Sequence, residues 1–324
     1  MILVLSANAG IDRTYEVANF GVGMYHHPRR FRVSPGGKGV NVARVLRTLG
    51  HEVIVTGFAG GHTGNALSAM LKGDGIRPEF VRIAEESRLC LNIVDTNTRT
   101  STQVDEVGPL VSPGEIDQLR RQWTRLLKAA RLVIISGSAP RGVPTNIYTD
   151  FIFTAKEQRL PVILDVREPF LAEAVEAGPL IVKPNLAELS ALAGQELPVP
   201  GGVVHASRDL LRQGVKMVLT SLAKQGAIAV TADSGNWWVR PPAVDAISEV
   251  GSGDAMVAGL VHASLNKESL QGRLRWAVAA GAANAAKLGA GFCEASEIEP
   301  LLDQVTIEAL DAGGAALVEP PAPQ

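Results

Sequence analysis

The feature that most constrains the fold of this chain is a regular alternation of short apolar segments with amphipathic helical segments. Most of the apolar segments are continuous runs rich in Val and Ile, which is typical of strands buried on both faces of a parallel sheet. They lie at residues 2–6, 52–57, 132–137, 161–166, 180–183, 216–221 and 227–232. The helical patterns lie near residues 40–49, 63–72, 113–129, 144–158, 169–177, 185–192, 203–213, 254–264 and 269–287. This order over 324 residues predicts an α/β fold with a doubly wound, mostly parallel sheet flanked by helices.

A second kind of segment interrupts this order early in the chain. Residues 14–18, 31–34, 88–95 and 100–106 alternate apolar and polar side chains, which indicates short, half-exposed strands. We expect them to form a small inserted β-sheet that acts as a lid, with segments near residues 12–18, 31–34 and 88–106. The rest of residues 1–312 then forms a single α/β domain. The Pro- and Ala-rich residues 313–324 predict a disordered tail.

Composition excludes several classes of function. The formal net charge is −2, from 31 basic and 33 acidic residues, so no overall basic field favours nucleic acid or an anionic membrane as a partner. The two cysteines, Cys90 and Cys293, are too far apart for a metal-binding spacing and suggest no disulfide framework. The first ten residues lack the basic and long apolar regions of a signal peptide. We therefore expect a cytoplasmic protein that binds neither nucleic acid nor membrane.

The sequence Gly-Ser-Gly-Asp at residues 251–254 opens a helical segment and predicts an anion site. Gly251 and Gly253 permit a close backbone approach, and the free N–H groups of a helix start stabilise negative charge. Such a loop suits a phosphoryl group in transfer, and Asp254 beside it could take the proton of an attacking hydroxyl. The alternative is that Asp254 only caps the helix.

Other phosphate-binding patterns do not fit the glycine loops. A dinucleotide fingerprint requires a third glycine where Met256 stands. A P-loop would need Gly in place of Arg32 and Ser or Thr in place of Gly39. The paired motifs of protein kinases are absent from the sequence as well.

Two further motifs place polar groups at predicted helix starts. In SPGGKGVNVARVL (residues 34–46), Lys38 begins a helix, where a cation opposes the helix dipole, so an anion is expected nearby. Asn41 in the same turn is either a functional group or a surface polar residue. In KPNLAEL (residues 183–189), Asn185 and Glu188 share one helix face and suit Mg²⁺ beside a phosphate. An N-cap with a capping-box glutamate explains that pair equally well.

The order of these motifs resembles that of the PfkB-type, ribokinase-like carbohydrate kinases. The matching segments are NAGID (8–12), GGKGVN (36–41), SGSAP (136–140), KPNLAE (183–188) and GSGD (251–254). Residues 34–46 and 87–109 look most like the hexose-phosphate branch, which includes 1-phosphofructokinase, tagatose-6-phosphate kinase and a minor 6-phosphofructokinase. The resemblance implies a ribokinase-like fold with a β-lid, and a homodimer formed through that lid.

The resemblance also implies roles for individual residues. Asp254 would be the catalytic base, and Gly251, Ser252 and Gly253 would form the anion hole through their backbone N–H groups. The sugar phosphate would contact Asp12, Gly37, Lys38, Asn41, Arg88 and Ser138, with Lys38 and Arg88 holding the phosphate that the substrate already carries. The nucleotide would contact Lys183, Asn185, Ser221, Gly226 and Asn284. Asn185 and Glu188 would position Mg²⁺, directly or through water.

The implied reaction is transfer of the γ-phosphoryl group of ATP, with Mg²⁺, to a hydroxyl of a phosphorylated ketohexose. Fructose 1-phosphate is the foremost acceptor, with tagatose 6-phosphate and fructose 6-phosphate as alternatives. An unphosphorylated sugar or nucleoside is a further alternative within the enzymes, and a catalytically weak sugar-phosphate sensor is an alternative outside them. Four positions depart from the family pattern: Ala9 replaces Pro, Ala223 replaces Gly, Glu249 replaces Thr and Ser252 replaces Ala.

Overall fold

The computed structural model describes residues 1–317, which form a large sheet, a small sheet and the helices around them. The strands are β1 Ile2–Leu5, β2 Gly10–Val17, β3 Arg30–Gly36, β4 Val53–Gly60, β5 Arg77–Ile83, β6 Arg88–Asp95, β7 Thr100–Asp105, β8 Leu132–Ser136, β9 Val162–Asp165, β10 Ile181–Val182, β11 Met217–Ser221, β12 Ala227–Thr231, β13 Asn236–Arg240 and β14 Thr306–Leu310. The helices are α1 Lys38–Thr48, α2 Gly61–Gly73, α3 Pro113–Leu127, α4 Ile147–Glu157, α5 Phe170–Glu176, α6 Leu186–Ala193, α7 Gly201–Arg212, α8 Ser252–Leu265, α9 Leu270–Ala285 and α10 Ala295–Ile298.

The large sheet has ten strands in the order β14-β13-β12-β11-β10-β9-β8-β1-β4-β5. The strands from β11 to β5 in this order pair in parallel, whereas β11 to β14 pair antiparallel. β1 lies between β4 and β8, and its four side chains are fully buried, as a continuous apolar run predicts. The predicted mostly parallel α/β sheet is therefore confirmed.

The structure adds β5, β13 and β14 to the seven predicted strands. β5 and β14 are the two edges of the sheet, and most of their residues are only partly buried or exposed. Their sequences therefore lack the continuous apolar run by which a central strand is identified. The β14 edge also includes residues 313–317, which lie within the predicted tail. Ala316 pairs with Leu310, and Leu317 N donates to Ala309 O at 2.8 Å, so order continues past residue 312. Residues 318–324 lie outside the described residues.

Helices cover both faces of the large sheet, and each face has its own apolar core. One core includes the fully buried rings of Trp123, Tyr148 and Phe151 from α3 and α4. The other is formed by α1, α2, α8 and α9. α8 and α9 approach closely because Gly259 lacks a side chain: a Cβ there would lie 2.4 Å from the backbone oxygen of Trp276. This contact fixes α8 against α9.

The small sheet has the strand order β3-β2-β6-β7, with β2 and β6 parallel and the outer pairs antiparallel. These strands correspond to the predicted lid segments, and the small separate sheet is confirmed. Asp12 on β2 pairs with Cys90 on β6, which in turn pairs with Asp105 on β7. Within residues 1–317, no helix is long and apolar enough to cross a membrane.

Candidate active site

The Gly-Ser-Gly-Asp loop forms the start of α8, and its glycines are required by its geometry. Gly251 is the N-cap with φ of 81°, and a Cβ on it would lie 2.4 Å from the Cβ of Ala290. A Cβ on Gly253 would lie 3.2 Å from Nζ of Lys183. No side chain caps this helix. The N–H group of Ser252 donates to the backbone oxygen of Glu249 at 3.2 Å, and the N–H groups that follow it in the first turn lie beside the ammonium group of Lys183. This combination stabilises an anion.

Asp254 lies in the first turn of α8 and is 5% exposed. Since the cap residue is Gly251 and Asp254 makes no capping hydrogen bond, helix capping does not explain this carboxylate. Its Oδ2 accepts a hydrogen bond of 2.8 Å from Nδ2 of Asn41. Burial, together with the charge of Asp165, raises the pKa of Asp254 to about 6, against the opposing effect of Lys38. A carboxylate with such a pKa is suited to general-base catalysis near neutral pH.

Asp165 is a central residue of the site that the motif analysis does not include. It is 1% exposed at the end of β9, and its Oδ1 lies 3.0 Å from Nζ of Lys38 and 3.4 Å from Nζ of Lys183. Burial raises the pKa of Asp165, but the two lysines outweigh burial and hold it below its usual range. One signal in the sequence could have identified Asp165. It is an acid that directly follows the buried run Val162–Leu164, and ligands bind at the carboxyl ends of such strands.

Lys38 therefore has a different environment from the one that the sequence predicts. Its ammonium group bonds Asp165 and lies 3.7 Å from Oε1 of Glu188. Burial opposes the charge of Lys38, but Asp165, Asp254 and Glu188 together raise its pKa. The lysine expected to hold the phosphate of the substrate is thus largely neutralised by acids from three other elements, β9, α6 and α8.

Next to this cluster is a pocket at the ends of β1, β8 and β9, covered by the lid strands β6 and β7. Arg88 reaches across it and donates from Nε to the backbone oxygen of Asn8 at 2.8 Å. Nδ2 of Asn8 donates to Oγ of Ser138 at 3.2 Å. The pocket is lined by Ser6, Asn8, Lys38, Arg88, Asp105, Gly137, Ser138 and Arg167. The structure thus brings together three residues predicted to bind substrate, Lys38, Arg88 and Ser138. It adds Asp105 and Arg167 to the same pocket.

Asp12 and Gly37 lie beside this pocket. Burial raises the pKa of Asp12 to about 6; Arg88 lowers it, and Asp105 and Asp254 raise it further. A Cβ on Gly36 would overlap the carboxylate of Asp12, at 2.0 Å from Oδ1, so glycine there makes room for the acid. Gly37 is the N-cap of α1 with φ of 107°. Asp12 is therefore a half-buried acid on the lid, near both Arg88 and the candidate base.

The predicted nucleotide residues lie on the other side of Lys183, which is 4% exposed. Asn185 pairs with Ser221 across neighbouring strand ends, so these two come together. Gly226 has φ of 88°, and a Cβ on it would lie 2.0 Å from the backbone oxygen of Val239. Its glycine is therefore explained by the packing of the β11–β12 connection, independently of a nucleotide.

Asn284 is fully buried, and both of its polar atoms are hydrogen-bonded within the protein. Nδ2 donates to the backbone oxygen of Val250, and Oδ1 accepts from the backbone N–H of Gly291, each at 2.9 Å. This side chain ties the segment before Gly251 to the loop after α9, and its contact with the adenosine end of the nucleotide stays a prediction. An inward-facing amide in an otherwise apolar helix is a signal for such a backbone clamp.

Two of the departures from the family pattern are also placed by the structure. Glu249 is exposed, so its carboxylate is hydrated rather than held against the anion site. Ser252 has a buried hydroxyl without a hydrogen-bond partner in residues 1–317.

The predicted Mg²⁺ site offers one carboxylate, that of Glu188, and not a complete set of protein ligands. Asn185 and Glu188 form a complete capping box at the start of α6, with both hydrogen bonds at 2.8 Å. The amide oxygen of Asn185 and Oε2 of Glu188 are thereby engaged, whereas Oε1 of Glu188 faces Lys38. Residues 1–317 hold no cluster of three or more His, Cys, Asp or Glu side chains arranged for a metal. This set suits an ion that keeps waters and binds mainly through phosphates.

Comparison with known proteins decides the family. The pattern of the pfkB family carbohydrate kinases matches residues 2–297. The chain belongs to this family. Accordingly, it is a carbohydrate kinase that transfers a phosphoryl group to an alcohol, and membership implies ATP as the donor. Its architecture is the ribokinase-like α/β fold with a lid.

Individual relatives of this pfkB kinase are similar along most of their length. The 1-phosphofructokinase of Escherichia coli K12 is 32% identical over 272 residues, covering 84% of this chain and 86% of that protein. A possible 1-phosphofructokinase from Thermotoga maritima superposes with a TM-score of 0.90 at 26% identity, over 96% of this chain and 100% of the other. Phosphofructokinase-2 from Escherichia coli, solved with substrates and products, has a TM-score of 0.86 at 29% identity, over 93% and 98% of the two chains.

Proposed function

We propose that this pfkB kinase transfers the γ-phosphoryl group of ATP to a hydroxyl of a phosphorylated ketohexose, with fructose 1-phosphate as the acceptor and fructose 1,6-bisphosphate as the product. The observation that carries the proposal is the position of Asp254, a buried carboxylate with raised pKa at the mouth of an uncapped glycine loop. The similarity to a 1-phosphofructokinase supports the choice of acceptor.

The chemistry follows from the groups around Asp254. Asn41 fixes one carboxylate oxygen, and the other takes the proton of the acceptor hydroxyl as its oxygen attacks the γ-phosphorus. The bond from the γ-phosphorus to the bridging oxygen breaks, and ADP leaves with the electron pair. The N–H groups of Gly251 and Gly253 and the ammonium group of Lys183 hold the charge that spreads over the phosphoryl oxygens. The proton remains on Asp254 until the product departs.

Mg²⁺ would be held by Oε1 of Glu188 through water and by the phosphates of ATP, with Asn185 orienting Glu188 through the capping box. When bound, the ion neutralises charge on the β- and γ-phosphates. Lys38 and Asp165 would keep Glu188 in place, since Lys38 lies between the two carboxylates.

The lid supports a second part of the proposal, a homodimer in which two lids pack together. Its outer residues are apolar and exposed, with Val22 at 99%, Tyr25 at 86% and Phe31 at 69%. An exposed apolar patch of this kind marks an interaction surface. A second copy of the chain would cover the patch and close the lid over the substrate, which excludes water from the transferred phosphoryl group. The two free, buried cysteines fit a reducing, cytoplasmic setting.

A panel of acceptors with ATP and Mg²⁺ tests the reaction. We expect ADP release with fructose 1-phosphate to exceed that with fructose 6-phosphate, tagatose 6-phosphate, ribose and adenosine in kcat/KM. A best rate with an uncharged acceptor would overturn the sugar-phosphate assignment. Saturable binding of sugar phosphates without ADP release on any acceptor would identify a sensor instead of an enzyme.

Light scattering coupled to size-exclusion chromatography tests the dimer. The wild type should elute with twice the mass of the 34.2 kDa chain, and the double variant Tyr25→Ser, Phe31→Ser should shift toward the monomer. Phe153→Ser is a matched control, because Phe153 is 51% exposed but lies on α4. A monomeric wild type, or equal shifts for the lid and α4 variants, would refute the lid dimer.

A further inference from the structure

The phosphate that the acceptor already carries needs cations that are not committed to protein acids. Such a monoester carries about −1.5 to −2 charge at pH 7. Lys38 and Lys183 share Oδ1 of Asp165, and Lys38 also faces Glu188. Their charge is balanced before the substrate arrives, so neither lysine alone accounts for a second phosphate in the neighbouring pocket.

Arg88 is the first cation in that pocket without an ion pair among residues 1–317, although its charge acts on the nearby carboxyl of Asp12. Its Nε donates to the backbone oxygen of Asn8 at 2.8 Å, which fixes the direction of the guanidinium group. The side chain forms no ion pair with any residue between 1 and 317, so its terminal nitrogens remain available. One guanidinium group balances only part of the charge on a phosphate dianion.

Arg167 is the second cation in this pocket without an ion pair among the described residues. It follows β9 by two residues, just after the lysine-paired Asp165, and its side chain lines the same pocket as Arg88 and Ser138. The side chain is exposed and has no ion pair or hydrogen bond within the described part of the chain. An exposed arginine at a ligand-binding sheet edge, with no acid to hold it, is free to turn toward an anion.

The remaining lining of the pocket agrees with an anion on one side and hydroxyls on the other. Lys38 is the first residue of α1, and Gly137, which follows β8, lies against it. The first turn of α1 contains no acid and no side-chain cap, so this helix end favours negative charge. Asp105, the one acid in the lining, lies on the lid near Asp12. The carboxylates of Asp105 and Asp12 suit hydrogen bonds from the hydroxyls of the sugar. The phosphate of the acceptor then lies on the opposite side of the pocket, near Arg88 and Arg167.

We propose that Arg167 is a specificity-determining residue, which together with Arg88 clamps the phosphate already present on the acceptor. This inference rests on the proposed function and refines it. The guanidinium groups approach from two elements, Arg88 from the lid and Arg167 from the end of β9. An acceptor without the phosphate leaves both groups unpaired, so the clamp selects phosphorylated sugars and helps to draw the lid onto the domain.

Steady-state kinetics of Arg167→Gln tests the clamp. The KM for fructose 1-phosphate should rise roughly ten- to a hundredfold, as expected for a lost hydrogen bond to a charged group, with kcat and the KM for ATP nearly unchanged. Arg167→Lys keeps the charge but not the planar fork and should give an intermediate KM. Arg121→Gln is the control, since Arg121 on α3 is also exposed and also lacks an ion pair among residues 1–317.

The selectivity ratio adds a readout that a general structural defect would not change. The kcat/KM for fructose 1-phosphate relative to that for unphosphorylated fructose should fall in Arg167→Gln and stay constant in Arg121→Gln. If Arg167→Gln keeps the wild-type KM and selectivity ratio, as Arg121→Gln should, Arg167 does not bind the phosphate and the kinase assignment still stands. If the wild type phosphorylates none of the sugar phosphates, the kinase assignment fails. Calorimetric binding of fructose 1-phosphate to the wild type and Arg167→Gln then decides the clamp alone: weaker binding to the variant supports it, and equal binding refutes it.

Discussion

Asn41 donates a hydrogen bond of 2.8 Å to Oδ2 of Asp254, joining the first turn of α1 to the first turn of α8 across 213 residues of sequence. One carboxylate oxygen is thereby fixed and the other is left to accept a proton. Both helices begin at an N-cap glycine with positive φ, Gly37 at 107° and Gly251 at 81°, a backbone conformation that favours glycine.

Replacing Asp254 with Asn should remove activity and stabilise the protein. Turnover should fall by about 10²–10⁴, since general-base catalysis contributes that much, while ATP still binds. The raised pKa means that the ionised carboxylate is disfavoured by burial, so the neutral amide should raise the free energy of unfolding by about 1–3 kcal/mol at pH 7. Kinetics and urea unfolding measure both effects. Retention of most of the activity, or a clear loss of stability, would contradict this account of Asp254.

The activity should fall steeply below about pH 6, because Asp254 and Asp12 both have pKa values raised to about 6. The native state holds these protons between their ordinary pKa of 3.8 and about 6, whereas the unfolded chain does not. Stability from these two groups therefore decreases as pH rises through that window, while activity increases. A plot of log kcat/KM against pH should approach a slope of two, and Asp12→Asn should reduce it to one. A midpoint near pH 4 would show that burial does not control these acids.

Replacing Asp165 with Asn should destabilise the protein strongly. Two ammonium groups lose their common partner in a site where Asp165 is 1% exposed, and breaking a buried pair costs about 3–5 kcal/mol. Asp117→Asn is the control, because its ion pair with Arg120 is exposed on α3 and should be worth less than about 1 kcal/mol. Chemical unfolding of the two variants compares them. Equal losses would mean that the lysine cluster is not a structural centre of the site.

Replacing Ala223 with Gly should stabilise the connection between β11 and β12. Ala223 has φ of 48°, a left-handed conformation that costs an L-residue about 1–2 kcal/mol. The greater freedom of Gly in the unfolded chain offsets about 0.4–1 kcal/mol of the gain. The net gain in the free energy of unfolding should be about 0.5–1 kcal/mol. Ala232→Gly at the other end of β12 relieves no such strain and should destabilise; similar effects of the two changes would contradict the strain.

The local elements were within reach of the sequence because each depends on residues close together in the chain. Continuous runs of Val and Ile identify the buried strands, and Gly251-Ser252-Gly253 identifies a glycine-rich helix start beside an acid. The order of these motifs is sufficient to indicate the family. Edge strands such as β5 and β14 escape this reasoning, since half-exposed residues give no continuous apolar run.

The pairing of charges was decided only by the tertiary structure. Lys38, Asp165 and Lys183 come from three elements whose ends meet at one edge of the sheet, and no local pattern records which acid lies next to which lysine. For the same reason the sequence does not show which two backbone segments Asn284 bonds, or that Arg167 shares a pocket with Arg88. The sequence by itself determined the layered α/β architecture through its periodicity, and the glycine loop through its motif. Only the tertiary structure determined which polar groups act together, because the parallel sheet brings the ends of distant strands to one place.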